Sequence, residues 1–296
     1  MDTHTASKTI NPKVVPFFDE DSNTFSYVVR DPSSNACAIV DSVLELDYAS
    51  GTTSYKGADE IIEYVTQQGL TVEWIIETHA HADHLSAGLY IRSKVGGKLA
   101  IGEHISDVQH VFADVFNLDE DFAKDGSQFD YLFSDGETYT IGKLVAKAIH
   151  TPGHTPACMS HLIGDALFVG DTLFMPDAGT ARADFPGGDA VTLYRSIQKL
   201  LQLDGDTRVF MCHDYGVGDR ELEYETTIAE ERKNNIHVNP SISEAEFVEM
   251  RVARDKTLGM PHLILPSLQV NIRAGGFPEP EDNGTTYLKL PLNMFS

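Results

Sequence analysis

Thr78-His79-Ala80-His81-Ala82-Asp83-His84 packs three imidazoles and one carboxylate into seven residues. Before it, Val72-Glu73-Trp74-Ile75-Ile76-Glu77 reads as a buried strand. After it, Leu85, Leu89 and Tyr90 open a helical spacing that closes at Gly96-Gly97. The cluster therefore falls in a strand-to-helix turn, where a rigid sheet can aim polar side chains. In an extended segment His79 and His81 share one side, and Asp83-His84 follows as the chain turns. Neutral imidazole and carboxylate are the usual ligands of zinc and ferrous iron.

Working outward, the same arrangement recurs. Leu144 to Ile149 leads into His150-Thr151-Pro152-Gly153-His154. Ala166 to Val169 leads into Gly170-Asp171, and Arg208 to Cys212 leads into His213-Asp214-Tyr215-Gly216. Apolar strands thus end at His79, His154, Asp171 and His213. Ligands bind at strand ends in sheets flanked by helices, so four such ends imply one converging site.

The remaining chain reads as sheet and helix in alternation. Val14 to Phe18, Phe25 to Val29 and Ala36 to Asp41 form a β-meander. Ala58 to Gln68 is an amphipathic helix stopped by Gly69. Lys98 to Ile101 is a short strand, and 104–130 is weakly patterned, with a loop at Lys124 to Ser127. Asp189 caps a helix carrying Leu193, Ile197, Leu200 and Leu201. Glu221 to Asn235 has helical character, Ser243 with Glu246 fits a capping box, and Leu263 to Ser296 shows no period. Two βα-type halves, roughly 14–140 and 141–220, carry a C-terminal helical appendage and tail at about 221–296. A two-layer sheet core flanked by helices, folded as a single domain over 1–296, accounts for this order.

Composition narrows the function. Charged residues make up 23% of the 296, with 45 acids against 22 bases, for a net charge of -23. That excess disfavours nucleic acid and anionic membranes, since phosphate contacts need Lys and Arg. Three cysteines, Cys37, Cys158 and Cys212, are too few for a disulfide framework and fit a reducing cytoplasm. Met1 to Thr5 lacks the basic start and apolar core of a signal peptide. No apolar run nears the roughly 20 residues of a membrane span. A cytoplasmic location and a possible homodimer are expected.

His79-Ala80-His81-Ala82-Asp83-His84 with His154, Asp171 and His213 resembles the metallo-β-lactamase superfamily over about 14–275. That resemblance implies an α/β (α+β) four-layer αββα sandwich with a metal site at one edge of the sheets. Five stretches are most similar to persulfide dioxygenases within the glyoxalase II-like branch: Thr78 to Gly88, His150 to Pro156, Gly179 to Phe185, His213 to Gly216, and Gln269 to Gly275. The likeness implies one Fe(II) per chain on His79, His154 and Asp171. His81, Asp83, His84 and His213 are then retained without a second metal. Arg182, Tyr215 and Arg273 are implied for binding glutathione persulfide. Ala181 and Ala183 depart from the family's usual glycine and threonine.

The residues themselves suit two reactions. Two zinc ions bridged by Asp171 would supply hydroxide for a hydrolase of the glyoxalase II or lactonase kind, with Asp83 as proton carrier. One iron needs only two histidines and a carboxylate. Ligand supply fits either, with Zn(II), one or two per chain, as the alternative cofactor. Catalytic roles are expected for Asp83 and Tyr215. His81, Asp83, His84 and His213 are read as hydrogen-bonding partners or second-metal ligands. Arg182, Arg232 and Arg273 carry an alternative as structural ion pairs. His150 and His161 read as structural, and His104, His110, His237 and His262 carry no motif. Cys158 and Cys212 read as small buried hydrophobes, with strand alternation turning Cys212 away from the site.

Overall fold

The computed structural model describes residues 10–294. The chain opens with β1 (Lys13–Asp19), β2 (Thr24–Arg30) and β3 (Ala36–Val40), an antiparallel meander. A hairpin, β4 (Val43–Asp47) and β5 (Thr52–Ser54), leads to α1 (Lys56–Gln67) and β6 (Thr71–Ile76). Next come β7 (Leu85–Ser86), α2 (Gly88–Val95), β8 (Lys98–Gly102), α3 (Ile105–Val115) and β9 (Tyr131–Phe133). The second half runs β10 (Thr138–Ile141), β11 (Leu144–His150), β12 (Met159–Ile163), β13 (Ala166–Phe168), α4 (Ala190–Leu200), β14 (Arg208–Phe210) and β15 (Glu225–Thr227). Three helices close it: α5 (Ile228–Asn234), α6 (Glu244–Asp255) and α7 (Ile264–Asn271).

One six-stranded sheet has the order β1-β2-β3-β6-β8-β9, a second β10-β11-β12-β13-β14-β15, and β5-β4-β7 form a small third sheet. The period of two sorts their side chains into layers. Tyr27, Val29, Ala38 and Val40 face inward with Trp74, Phe133, Phe168 and Phe210, between the sheets. Their neighbours Val28 and Ile39 face out against Ile61, Val65, Ile91 and Phe112 of the first three helices. In the second sheet Leu167 and Val209 face out against Leu193, Ile197 and Phe247 of α4 and α6. The architecture is a four-layer αββα sandwich. Each fully buried aromatic or aliphatic side chain contributes about 1.5–3 kcal/mol, so the three layers of apolar contact dominate the fold.

Several local expectations hold at the atomic level. The Asp189 side chain accepts from Thr192 N, and Ser243 with Glu246 makes both bonds of a capping box. Others change. Leu85 belongs to a two-residue strand paired with β4, and the helix opens three residues later at Gly88. Residues 105–115 are helix α3, with Val108 and Phe112 buried on the first sheet. Its apolar stripe is interrupted by the buried Gln109, which hid the period. The tail contains α7, buried nearly all round, polar Ser267, Gln269 and Asn271 included, beside the 81–86 loop. Glu221 to Asn235 is helical only from Ile228.

Strands β3, β6, β8 and β9 are parallel, as are β13 and β14, so their C-terminal ends share one edge. The sheets are laced together there. Phe25 N donates to Cys212 O at 2.7 Å, and Met159 N to Thr78 O at 2.9 Å. This backbone stitching ties the segments after β6 and β14 each to a strand of the opposite sheet.

Candidate metal centre

The loops bring His79, His154 and Asp171 together. His79 Nε2 lies 3.9 Å and His154 Nε2 3.6 Å from Asp171 Oδ2. His213 Nε2 stands 3.3 Å from Asp171 Oδ1 and 3.3 Å from Asp83 Oδ2. His81, Asp83 and His84 offer ligand atoms within 4.8 Å of one another, and so do His79, His154 and Asp171. Asp171 follows Gly170, whose φ of +51° and approach to Thr78 leave no room for a Cβ.

The far nitrogen of each ring is already committed. His79 Nδ1 lies 3.0 Å from Thr78 Oγ1. His154 Nδ1 meets the carbonyl of Arg182 at 2.8 Å, and His84 Nδ1 that of Leu85 at 3.0 Å. His213 Nδ1 faces Asn23 O and Thr24 Oγ1. Meanwhile His79 Nε2, His84 Nε2, His213 Nε2, His81 Nδ1 and Asp171 Oδ1 are buried with no hydrogen-bond partner among the described residues. Buried polar atoms are rarely left unpaired. A convergent set of them, each backed by a partner on its far side, fits a bound cation.

The electrostatics of His79, His84 and Asp171 agree. Burial, with the neighbouring His81, holds the His79 imidazole well below its usual value, in the neutral form that ligates. Burial likewise lowers His84 to about 4. Burial opposes ionisation of Asp171, but His213, His79 and His154 outweigh it and keep its carboxyl far below the carboxylate range. His213 resists its burial through Asp171 and Asp83 and rises to about 9.

Two carboxylates behind the motif escaped the sequence reading. His81 Nε2 is 3.0 Å from Asp41 Oδ1 and 3.4 Å from Glu77 Oε2, all three buried. Asp41 also accepts from Thr78 N at 2.7 Å and Thr78 Oγ1 at 2.9 Å. Its position at the end of β3, matching the other strand ends, was the available signal. Asn271 was missed as well. Its Nδ2 donates to His81 O and His84 O, and its Oδ1 accepts from Ser86 N.

A cleft of about 790 Å³ opens over the cluster, with Asp83, His154, Asp171 and His213 in its floor. Phe174, Tyr215, Val217, Leu258 and Pro261 make its apolar walls. Tyr215 stacks parallel to His213 at 6.1 Å and is half exposed. Arg182 lines the cleft, but its guanidinium is committed to Asp184 and to Gly259 O. Arg273 is not brought there: it lies over the Phe122 ring and donates to Gln269 O. Of its stretch, Asn271 is the residue that reaches the site. Arg232 holds Leu201 O and Leu203 O.

His150 bonds Pro156 O, and the buried His161 bonds the Tyr139 hydroxyl. His237 and His262 line the cleft although no motif marks them. Cys212 corrects its expectation. The regular strand ends at Phe210, so alternation no longer applies, and the sulfur turns inward to 3.8 Å from Asp41 Oδ2.

Comparison with known proteins adds the following. The sequence profile of the metallo-beta-lactamase superfamily matches residues 19–213. A probable metallo-hydrolase of Burkholderia pseudomallei is 53% identical over 94% of this chain and 98% of its own length. Glyoxylase B2 of Dictyostelium discoideum is 50% identical, covering 95% and 97%. Human mitochondrial persulfide dioxygenase ETHE1 is 28% identical over 87% of each chain. Among solved structures, ETHE1 from Myxococcus xanthus superposes with a TM-score of 0.71 at 27% identity, over 89% of this chain and 100% of that one.

Proposed function

Because this chain belongs to the metallo-beta-lactamase superfamily, we propose that it is a metal-dependent oxygenase of that family, converting glutathione persulfide, dioxygen and water to glutathione, sulfite and two protons. One Fe(II) per chain would be held by His79, His154 and Asp171. The observation that carries the reading is this set of two imidazoles and one carboxylate, converging within 4.8 Å at a cleft floor. The likeness to persulfide dioxygenases over most of the chain supports it. Bound there, iron supplies open positions for a thiolate sulfur and dioxygen.

The protein's own groups then do the rest. Thr78 Oγ1 and Arg182 O fix the two ligand rings through their Nδ1 atoms. Phe174 and the Tyr215 ring form an apolar wall that limits water at the cleft floor. Asp83, half-buried beside His213, is placed to take a proton from the incoming water at Oδ2. With Arg182 tied to Asp184, the substrate's carboxylates must compete for it or meet Arg254, which lines the same cleft.

A two-zinc hydrolase is the second reading. Asp83, His84 and His213 place three further donors around the motif, and the 50–53% identical relatives bear hydrolase and glyoxylase names. Metal analysis of anaerobically purified protein, followed by oxygen uptake on adding glutathione persulfide, separates the two. One iron per chain and persulfide-dependent uptake, abolished in His79→Ala and Asp171→Ala, is the expected result. Two zinc ions per chain, thioester hydrolysis and no oxygen uptake would overturn it.

A further inference from the structure

The walls of the cleft come from segments far apart in the chain. Phe174 follows β13, Tyr215 and Val217 follow β14, Ile236 follows α5, and Leu258 and Pro261 join α6 to α7. Ile236 N donates to Pro176 O at 2.9 Å, and the Phe174 and Tyr215 rings meet edge-on at 6.0 Å. Four of these side chains are large, apolar and still open to solvent: Tyr215 is 53% exposed, Ile236 50%, Val217 43% and Leu258 40%. A single apolar side chain on a surface needs no explanation, but a set gathered around one cleft reports on what the cleft takes.

Glutathione, the carrier in the reaction proposed above, would leave that wall largely wet, because its two carboxylates, ammonium and peptide groups are costly to desolvate without partners. Two of the cleft's guanidiniums are already spent, Arg182 on Asp184 and Arg251 on Asp255. Arg254, exposed in the last turn of α6, lines the same cleft, and its guanidinium has no hydrogen-bond or ion-pair partner among the described residues. Of the acids in the lining away from the floor, Asp177 is paired with Arg220 and Asp21 is exposed, so an anionic group has one favourable place at the rim. We propose that the cleft binds thiols whose sulfur is joined by an unbranched apolar chain to a single carboxylate, and that their persulfides are a further substrate class. The sulfur reaches the floor, the chain covers the apolar wall and the carboxylate meets Arg254. In turnover the sulfur–sulfur bond breaks: persulfide, dioxygen and water give the free thiol, sulfite and two protons, the two sulfurs together losing four electrons and dioxygen gaining four. This activity rests on the oxygenase reading, whereas the binding does not.

Isothermal titration calorimetry of the protein carrying its native metal, with ω-mercaptooctanoate and with glutathione, tests the binding. The chain compound should bind about 10-fold more tightly, with a negative heat-capacity change from apolar burial. Leu258→Asp and Ile236→Asp, both at exposed positions, should narrow that preference about 10-fold. Arg254→Gln should weaken ω-mercaptooctanoate more than octanethiol, which has no carboxylate. Oxygen uptake then tests the activity, with kcat/KM for the persulfide of ω-mercaptooctanoate expected to equal or exceed that for glutathione persulfide. Uptake with glutathione persulfide alone would overturn the further activity and leave the oxygenase reading standing. No uptake with either would overturn both, and calorimetry would still decide the binding. Glutathione binding as tightly as the chain compound, or a preference unmoved by the two aspartate variants, would overturn the binding itself.

Discussion

At the scale of single residues, the side chains that decide the site are those holding ligands from behind. Asn271 spends its whole amide on the 81–86 loop, and it is buried. Asn271→Ala would strand two carbonyls and one N–H, each buried unpaired group costing about 1–3 kcal/mol. Urea unfolding should show a loss of about 3 kcal/mol or more, with metal affinity falling about 10- to 100-fold. Unchanged values in both would remove Asn271 from the site's support. Glu231 makes a different prediction. It is fully buried, one oxygen unpaired, and burial raises its carboxyl to about 8 against an ordinary 4.5. The folded state therefore holds a proton that the unfolded chain has released above about 4.5. Stability should decline from near pH 4.5 to near pH 8, by up to about 1.4 kcal/mol per pH unit, and then level off. Glu231→Gln should flatten that slope in melting curves at pH 6 and pH 8, and equal slopes in the two proteins would refute the assignment.

At the scale of elements, α6 acts on the site without lining its floor. Arg251 pairs with Asp255 one turn on, and the two buried side chains grip the loop that follows β13. Arg251 donates to Thr180 O at 3.0 Å, and Asp255 Oδ2 accepts from Ala183 N at 2.9 Å. Between those anchors lies Arg182, whose carbonyl orients His154. Asp255→Asn leaves a buried guanidinium without its counter-charge, a change that costs about 3–5 kcal/mol. The expected signature is lower thermal stability together with weaker metal retention under dialysis, although no ligand is altered. Full metal retention would mean that the loop keeps His154 aligned without α6. Gly153 shows the same dependence among elements: its Cα, at φ +137°, packs so closely on Leu193 of α4 that a Cβ would lie 2.3 Å from backbone. Only glycine lets the ligand loop and the helix meet there.

At the scale of the whole molecule, the two sheets meet over one aromatic layer and their joined edge carries the cleft. A centre built from both sheets should link their unfolding. Metal removal by chelation is expected to lower the melting temperature while leaving one cooperative transition, since a ligand bound only by the native state stabilises it by mass action. Two separate transitions would contradict the single-domain reading of 1–296. Among the described residues no helix is long and apolar enough to cross a membrane. The net charge of -23 remains a reason to expect small-molecule rather than nucleic-acid substrates.

The strand-end histidines and Asp171 were legible in the chain because each follows a short apolar run, and a strand's alternation and its termination are local properties. The four-layer arrangement followed from the same periodicities and from resemblance. Helices α3 and α7 were not legible, because Gln109 breaks the stripe of one and burial on nearly every side removes the amphipathic contrast of the other. Asp41 and Glu77 at His81, Asn271 at the 81–86 loop, and the inward turn of Cys212 join positions up to 190 residues apart. Such partners are chosen by how two sheets pack at a shared edge, a long-range outcome of burying both apolar faces at once. Local pattern therefore named the ligand-bearing strand ends, and tertiary packing alone decided what stands behind them.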